Sequence, residues 1–465
     1  MRQATALVLE VLSRNLRVTE AAVACEPKSQ NAEMWGISPL TEPSTQSVVI
    51  RLIWASRRYI RLALKNRLPV IDRVASSVER LRSCPDWSYA NMSQPKTLPI
   101  ILNWQAFLKK KQLLKIDEFP LFTDAWVTGE ASVGPYKFIN TIAMDSPETV
   151  KMGVVLRYSL YREWEHPDFS KTDASLYHGG SPPEELAAFA SLIVGVRFRA
   201  GDSIRRFGAG DPLGTPRQMS QRSRPYLPPT NSLNLPSVAK GQHPLGGLSL
   251  LESLLTLSIP AVVALTRAAR LYQDALWLAE SQPELTWLLL VSSLEAVANQ
   301  WDKQKGTSVE RLEHSKPELF EYLSGLADNE VLQKVADAFG DSMGVGKKFV
   351  DFCTTFVPDP PPLRPEFARF PWNEKGLKEA LRKVYSYRSR ALHDGVPFPA
   401  PICGPPDSQP GWQAPSEAPS AYGVHQNGST WLSKDLPMHL HLFEYVARTG
   451  ILNWWKQCAS SHASG

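Results

Sequence analysis

The chain has 465 residues, 43% of them hydrophobic and 21% charged, with a formal net charge of +5. That is about three times the usual single-domain length with the composition of a globular protein, so two domains plus linkers are expected. The excess charge sits at the start: from Met1 to Met92 there are 13 Lys and Arg against 8 Asp and Glu, and the rest of the chain balances. A neutral body argues against a broad, sequence-independent nucleic-acid surface, including one for DNA, because such a surface neutralises many phosphates at once; a local RNA site remains open.

Cys25, Cys84, Cys353, Cys403 and Cys458 are scattered and odd in number, without any C-x-x-C spacing. That pattern fits free thiols in a reducing cytoplasm, with neither a disulfide frame nor a structural metal. The opening MRQATALVLEVLSRN is interrupted by Glu10 and does not read as an export signal. Leu248 to Leu265 contains Glu252 and Pro260, and Leu285 to Ala298 is too short to span a bilayer, so no membrane span follows and no membrane partner is expected for the body of the chain.

Residues 1–91 form a basic N-terminal extension in which VIRLIWASRRYIRLALKNRL mixes apolar and basic residues at helical spacing. Three readings stay open: a basic amphipathic helix lying on RNA or membrane, a poorly ordered tail, or upstream sequence that is not translated, with Met92 as the start. Residues 92–219 read as an α+β domain of unknown role. In it VVLRYSLYREW alternates as a strand does, and LAAFASLIVGVRFRAG reads as a helix leading into a strand. Residues 220–247, rich in Pro, Ser and Asn without periodicity, form a linker or wrapping loop.

From there to about residue 460 every long segment is helical. Pro260 to Glu280 carries apolar residues at Val263, Ala268, Leu271, Ala275 and Leu278, and Pro283 suits the first turn of a helix running to about Trp301. Helical patterns follow over Ser308–Leu323, Asn329–Phe356, Gly376–His393 and Leu436–Cys458, interrupted by two proline-rich loops before Gly376 and over Val396–Pro419. The whole is predicted to be mainly α: an α+β domain followed by an all-α bundle.

The chemistry concentrates in LRKVYSYRSRALHDGVPFP, where Arg388 and His393 are separated by four residues at a helix end. Imidazole exchanges protons near neutral pH, and a guanidinium is a permanent cation with a fork of donors suited to phosphate. Ser389 and Arg390 stand four and three residues before His393, beside its ring, and Asp394 follows it. Glu295, inside the apolar helix LTWLLLVSSLEAVANQW, needs a partner if buried, and Arg388 is the natural one. The bland alternative makes Arg388 part of a solvated basic cluster with Arg382, Lys383 and Arg390, and His393 a residue favoured by the helix dipole. His439 and His441, two positions apart, are expected on different faces and do not suit metal ligands.

Arg, four residues and His at a helix end, with the lead-in Tyr385-Ser386-Tyr387 and the following His393-Asp394-Gly395, resembles the Apea-like HEPN family. The Glu295 helix, preceded by RLYQDALWLAE, and the closing LPMHLHLFEYVARTGILNWW are similar to that family as well. The resemblance spans the last 210 or so residues. It implies a metal-independent endoribonuclease without cofactor that cuts RNA through its own 2′-hydroxyl, with Arg388 and His393 catalytic and Ser389, Arg390, Glu295 and Asp394 supporting. It further implies a homodimer with facing motifs and a role in phage defence or as a toxin. The competing expectation is a catalytically inert HEPN module that binds RNA or a nucleotide, or dimerises. On an ideal helix Arg388 and His393 stand about 140° apart, so either the helix distorts at its end or a second subunit completes the site.

Overall fold

A computed structural model describes residues 97–463, except 142–149, 163–171, 219–223, 304–306, 327–328, 341–343 and the single positions 209, 231, 316, 358 and 410. The basic segment before Met92 lies outside the described residues. Helices dominate, joined to a small sheet, and the mainly helical mixed fold expected from the sequence is what the described residues form.

The chain enters through helix α1 (Pro99–Leu108) and builds strands β1 (Lys115–Thr123), β2 (Trp126–Thr128), β3 (Ala131–Val133), β4 (Tyr136–Asn140) and β5 (Lys151–Leu160). Helix α2 (Pro182–Val194) follows, then β6 (Arg199–Ala200), β7 (Arg205–Phe207) and β8 (Thr215–Pro216). Neighbouring strands pair antiparallel in the order β3-β4-β5-β1-β7-β8, with β6 also on β1. In β5, Val154, Leu156 and Tyr158 are buried while Val155, Arg157 and Ser159 are partly open, the period of a strand with one face against a core. Helix α2 starts where Pro182 occupies its first turn and the Glu184 carboxylate accepts from the Ser181 backbone N–H (2.6 Å) and hydroxyl (2.9 Å). It stops at Gly195, whose φ of +80° an L side chain resists.

The segment expected as a linker or wrapping loop carries α3 (Pro236–Ala239) and β9 (Gln242–Pro244), which pairs parallel with β2, and buries Leu235 and Val238. A 3-10 turn over Leu245–Thr256 buries Leu245, Leu248, Leu251 and Leu254, the three-residue spacing of that helix type.

The helical part then runs through α4 (Ile259–Leu278), α5 (Pro283–Lys303), α6 (Ser308–Ser315), α7 (Pro317–Leu326), α8 (Asn329–Gly340), α9 (Val345–Thr355) and α10 (Glu374–His393). A hairpin of β10 (Gly423–Gln426) and β11 (Ser429–Leu432) turns through Asn427-Gly428, both at positive φ, before α11 (Leu440–Ala463). Two helical stretches expected to be continuous are divided: Ser308–Leu323 becomes α6 and α7, and Asn329–Phe356 becomes α8 and α9, where Gly344 at φ +64° precedes the new helix.

One hydrophobic core runs from Leu98 to Trp455 through both the sheet and the helices. Trp287 of α5 is fully buried, stacked on Phe443 of α11 with ring centroids 4.8 Å apart, and donates its indole N–H to the Ile402 carbonyl at 3.1 Å. The second proline-rich loop is thereby tied into the core. Sheet and helices also meet at Arg197, wholly buried, whose guanidinium reaches Asp124 (2.6 Å), Glu280 (2.7 Å) and the Leu276 carbonyl (2.7 Å). Helices α6 to α8 enclose a separate small cluster of Leu312, Leu323, Leu332 and Ala336.

Candidate functional site

Helix α10 is fixed at its start by the Asn373 side chain, which accepts from the Gly376 N–H at 2.8 Å. It buries Leu377, Ala380, Leu381, Val384 and Tyr387 on one face. At its far end Asp394 N–H donates to the Arg390 carbonyl at 2.8 Å, and Gly395 at φ +68° turns the chain away. The His-Asp-Gly sequence thus has a structural role as the helix stop.

Arg388 lies where α5, α9 and α10 meet. Its Nη2 stands 2.6 Å from Oε2 of Glu295, and the Tyr385 hydroxyl donates to Oε1 of the same carboxylate at 3.2 Å. The Arg388 guanidinium carbon is also 5.6 Å from the centre of the Tyr385 ring. Burial pushes the Glu295 carboxyl above its ordinary range, while the Arg388 charge and the Tyr385 hydrogen bond pull it back. The Arg388 Nε is buried and makes no hydrogen bond. Tyr385 fits because α9 carries glycine opposite it: a Cβ at Gly346 would be 2.9 Å from the ring.

The remaining residues of the motif are distributed around the helix end. Ser389 is half-buried, Arg390 is exposed with its guanidinium 4.7 Å from the Tyr387 ring centre, and His393 and Asp394 are exposed. The Tyr387 hydroxyl donates to the Asp435 carbonyl at 2.8 Å, which anchors α10 beside the approach to α11. Since α10 remains α-helical through His393, the expected distortion at its end is absent. Arg388 and His393 therefore stand on different faces of a regular helix, the first turned to Glu295 and the second outward. Leu392 and Val396, flanking the histidine, are 52% and 44% exposed.

Two clusters were not anticipated from the sequence. His439 and His441 were expected on different faces, yet their rings stack with centroids 6.2 Å apart. The reason is that α11 begins only at Leu440, so His439 precedes the helix and helical angles do not apply to it. Burial pulls His439 down to about 4 and His441 to about 3, and three of their four ring nitrogens have no partner. No group of three or more His, Cys, Asp or Glu suited to a metal ion occurs among the described residues. The second brings His178 onto Glu185 and Arg270 onto the carbonyl of the adjacent Gly179; its only sequence signal was an acid within the apolar helix α2.

No family model, curated protein or solved structure matches the chain.

Proposed function

We propose that the chain is a metal-independent endoribonuclease of the HEPN type, acting in the cytoplasm, with residues 248–460 as its helix bundle and 92–219 as a region that senses a trigger or restrains the nuclease. The observation that carries this reading is the ion pair between Arg388 and Glu295, with Tyr385 on the same carboxylate. A guanidinium held through one Nη keeps its other donors oriented, and charge developing on a phosphate is best stabilised by donors that need no reorganisation.

His393 takes the proton from an RNA 2′-hydroxyl. The 2′-oxygen then bonds to phosphorus, the bond to the 5′-oxygen breaks, and that oxygen takes a proton from water as it leaves, while His393 returns its own to solvent. The products are a cyclic phosphate and a 5′-hydroxyl end. DNA lacks the attacking group and is not a substrate. Because the two residues occupy different faces of one helix, a homodimer that brings two α10 ends together completes the site, and the exposed Leu392 and Val396 beside His393 suit such a contact. Ser389, Arg390 and Asp394 support the histidine from its own helix end. A role in phage defence or as a toxin rests on the family resemblance alone.

One observation favours a second reading: Arg388 is already engaged by Glu295 and stands away from His393, as in an inert module that binds RNA or a nucleotide, or dimerises. Incubation of the wild-type protein and Arg388→Ala and His393→Ala variants with total RNA and tRNA in EDTA, followed by end-group analysis, separates the two. The nuclease reading expects cyclic phosphate ends from the wild type and a loss of about 100-fold or more in each variant. RNA binding without cleavage, together with unchanged growth on expression of wild type and variants, selects the inert module.

A further inference from the structure

Away from α10, residues 173–180 cross helix α4 without forming a helix or strand of their own. They are held there by arginine donors: Arg267 to the carbonyl of Ser175 at 2.8 Å, and Arg270 to that of Gly179 at 3.4 Å. From this segment His178 reaches inward, its Nε2 2.5 Å from Oε1 of Glu185, with the two side chains only 6% and 1% exposed. Gly180 lies so close to Arg270 that an added Cβ would stand 3.2 Å from the guanidinium carbon.

Each of the three side chains keeps one buried polar atom unused: Nδ1 of His178, Oε2 of Glu185 and Nε of Arg270. A single unpartnered buried group costs about 1–3 kcal/mol, so three in one cluster mark a place where polar atoms of another molecule belong. Charge narrows what that molecule is. An anion would meet the Glu185 carboxylate and a cation the Arg270 guanidinium, whereas an uncharged edge with an N–H beside a C=O satisfies both.

We infer that His178, Glu185 and Arg270 form a binding site for a nucleobase bearing an N–H next to a carbonyl, as in guanine, hypoxanthine or uracil. This rests on the RNA reading above and adds a second, non-catalytic contact at which such a base is bound. Helix α4, which carries Arg270, is also tied to α5: Ser293, two residues from Glu295, donates to the Ala268 carbonyl at 2.8 Å, between Arg267 and Arg270.

The test is calorimetric titration of the full chain carrying Arg388→Ala and His393→Ala, so that cleavage plays no part and failure of the nuclease reading leaves the result unaffected. GMP, IMP and UMP are expected to bind saturably and AMP not to bind. Arg270→Lys, which keeps the charge and loses the Nε donor, is expected to weaken GMP by about tenfold, with an unchanged thermal melt as the control for folding. Glu185→Gln gives a second variant of the same shape without the charge. A pentanucleotide with one G among A's, competing with GMP and binding more tightly, would assign the base to RNA; GMP binding without such competition would assign it to a free nucleotide. Equal binding of AMP and GMP, no binding of any of them, or an Arg270→Lys affinity equal to wild type overturns the inference.

Discussion

Arg197 and Arg388 are both arginines tied to carboxylates, and their surroundings differ in a way that separates structure from chemistry. Arg197 is wholly enclosed and spends Nε, Nη1 and Nη2 on a carbonyl and two carboxylates. Arg388 has a side chain 19% exposed, spends one Nη on Glu295, and leaves Nε without a hydrogen bond. An arginine whose donors are all used joins elements; Arg388, bound through a single Nη, does not spend all of its donors on the fold.

Arg197→Ala is the largest test of that contrast, because it strands Asp124 and Glu280 as buried charges. It should cost about 3–5 kcal/mol in urea unfolding. A loss below about 1 kcal/mol would remove the distinction between the two arginines. Next comes Gly346→Ala, which places a methyl 2.9 Å from the Tyr385 ring. Overpacking of about 1–3 kcal/mol, offset by about 1 kcal/mol of helix propensity, leaves a net loss of about 1 kcal/mol. An unchanged or raised stability would mean that Tyr385 moves freely and does not brace Glu295.

The smallest effect is a change of slope with pH. Burial raises the Glu295 carboxyl above its ordinary 4.5, so in the window between 4.5 and the raised value the unfolded chain has released a proton that the folded chain retains. The folded state therefore binds more protons there, and stability falls as pH rises through the window. Other raised carboxyls, such as Glu185 and Glu444, contribute in the same direction, so the quantity to measure is the difference between wild type and Glu295→Gln. The variant should lose less stability than wild type as pH rises; parallel curves would show that Glu295 titrates as it does in the unfolded chain.

Much of this site was legible before any coordinates. An acid inside the apolar run of α5 demanded a partner, and Arg388 is the one it has, because burying a carboxylate alone costs more than the helix gains. Prolines at first turns marked α4 and α5, and Gly395 marks the stop of α10, since these residues restrict or free the backbone locally. The division of Asn329–Phe356 at Gly344 was harder to see, because both halves keep an apolar stripe. The start of α11 after His439 escaped as well, since nothing in that stretch fixes the first turn.

Local rules thus determined which long segments after residue 259 are helical, where α4 and α5 begin, and that Glu295 needs a cation. Only the tertiary structure decided that β1 lies between β5 and β7, that Arg270 binds the carbonyl of Gly179 beside the His178 that pairs with Glu185, and that Arg388 and His393 stay on separate faces of an unbroken helix. The reason is physical: helical hydrogen bonds close within four residues and leave a local imprint, whereas strand order and side-chain clusters depend on which distant surfaces bury one another best.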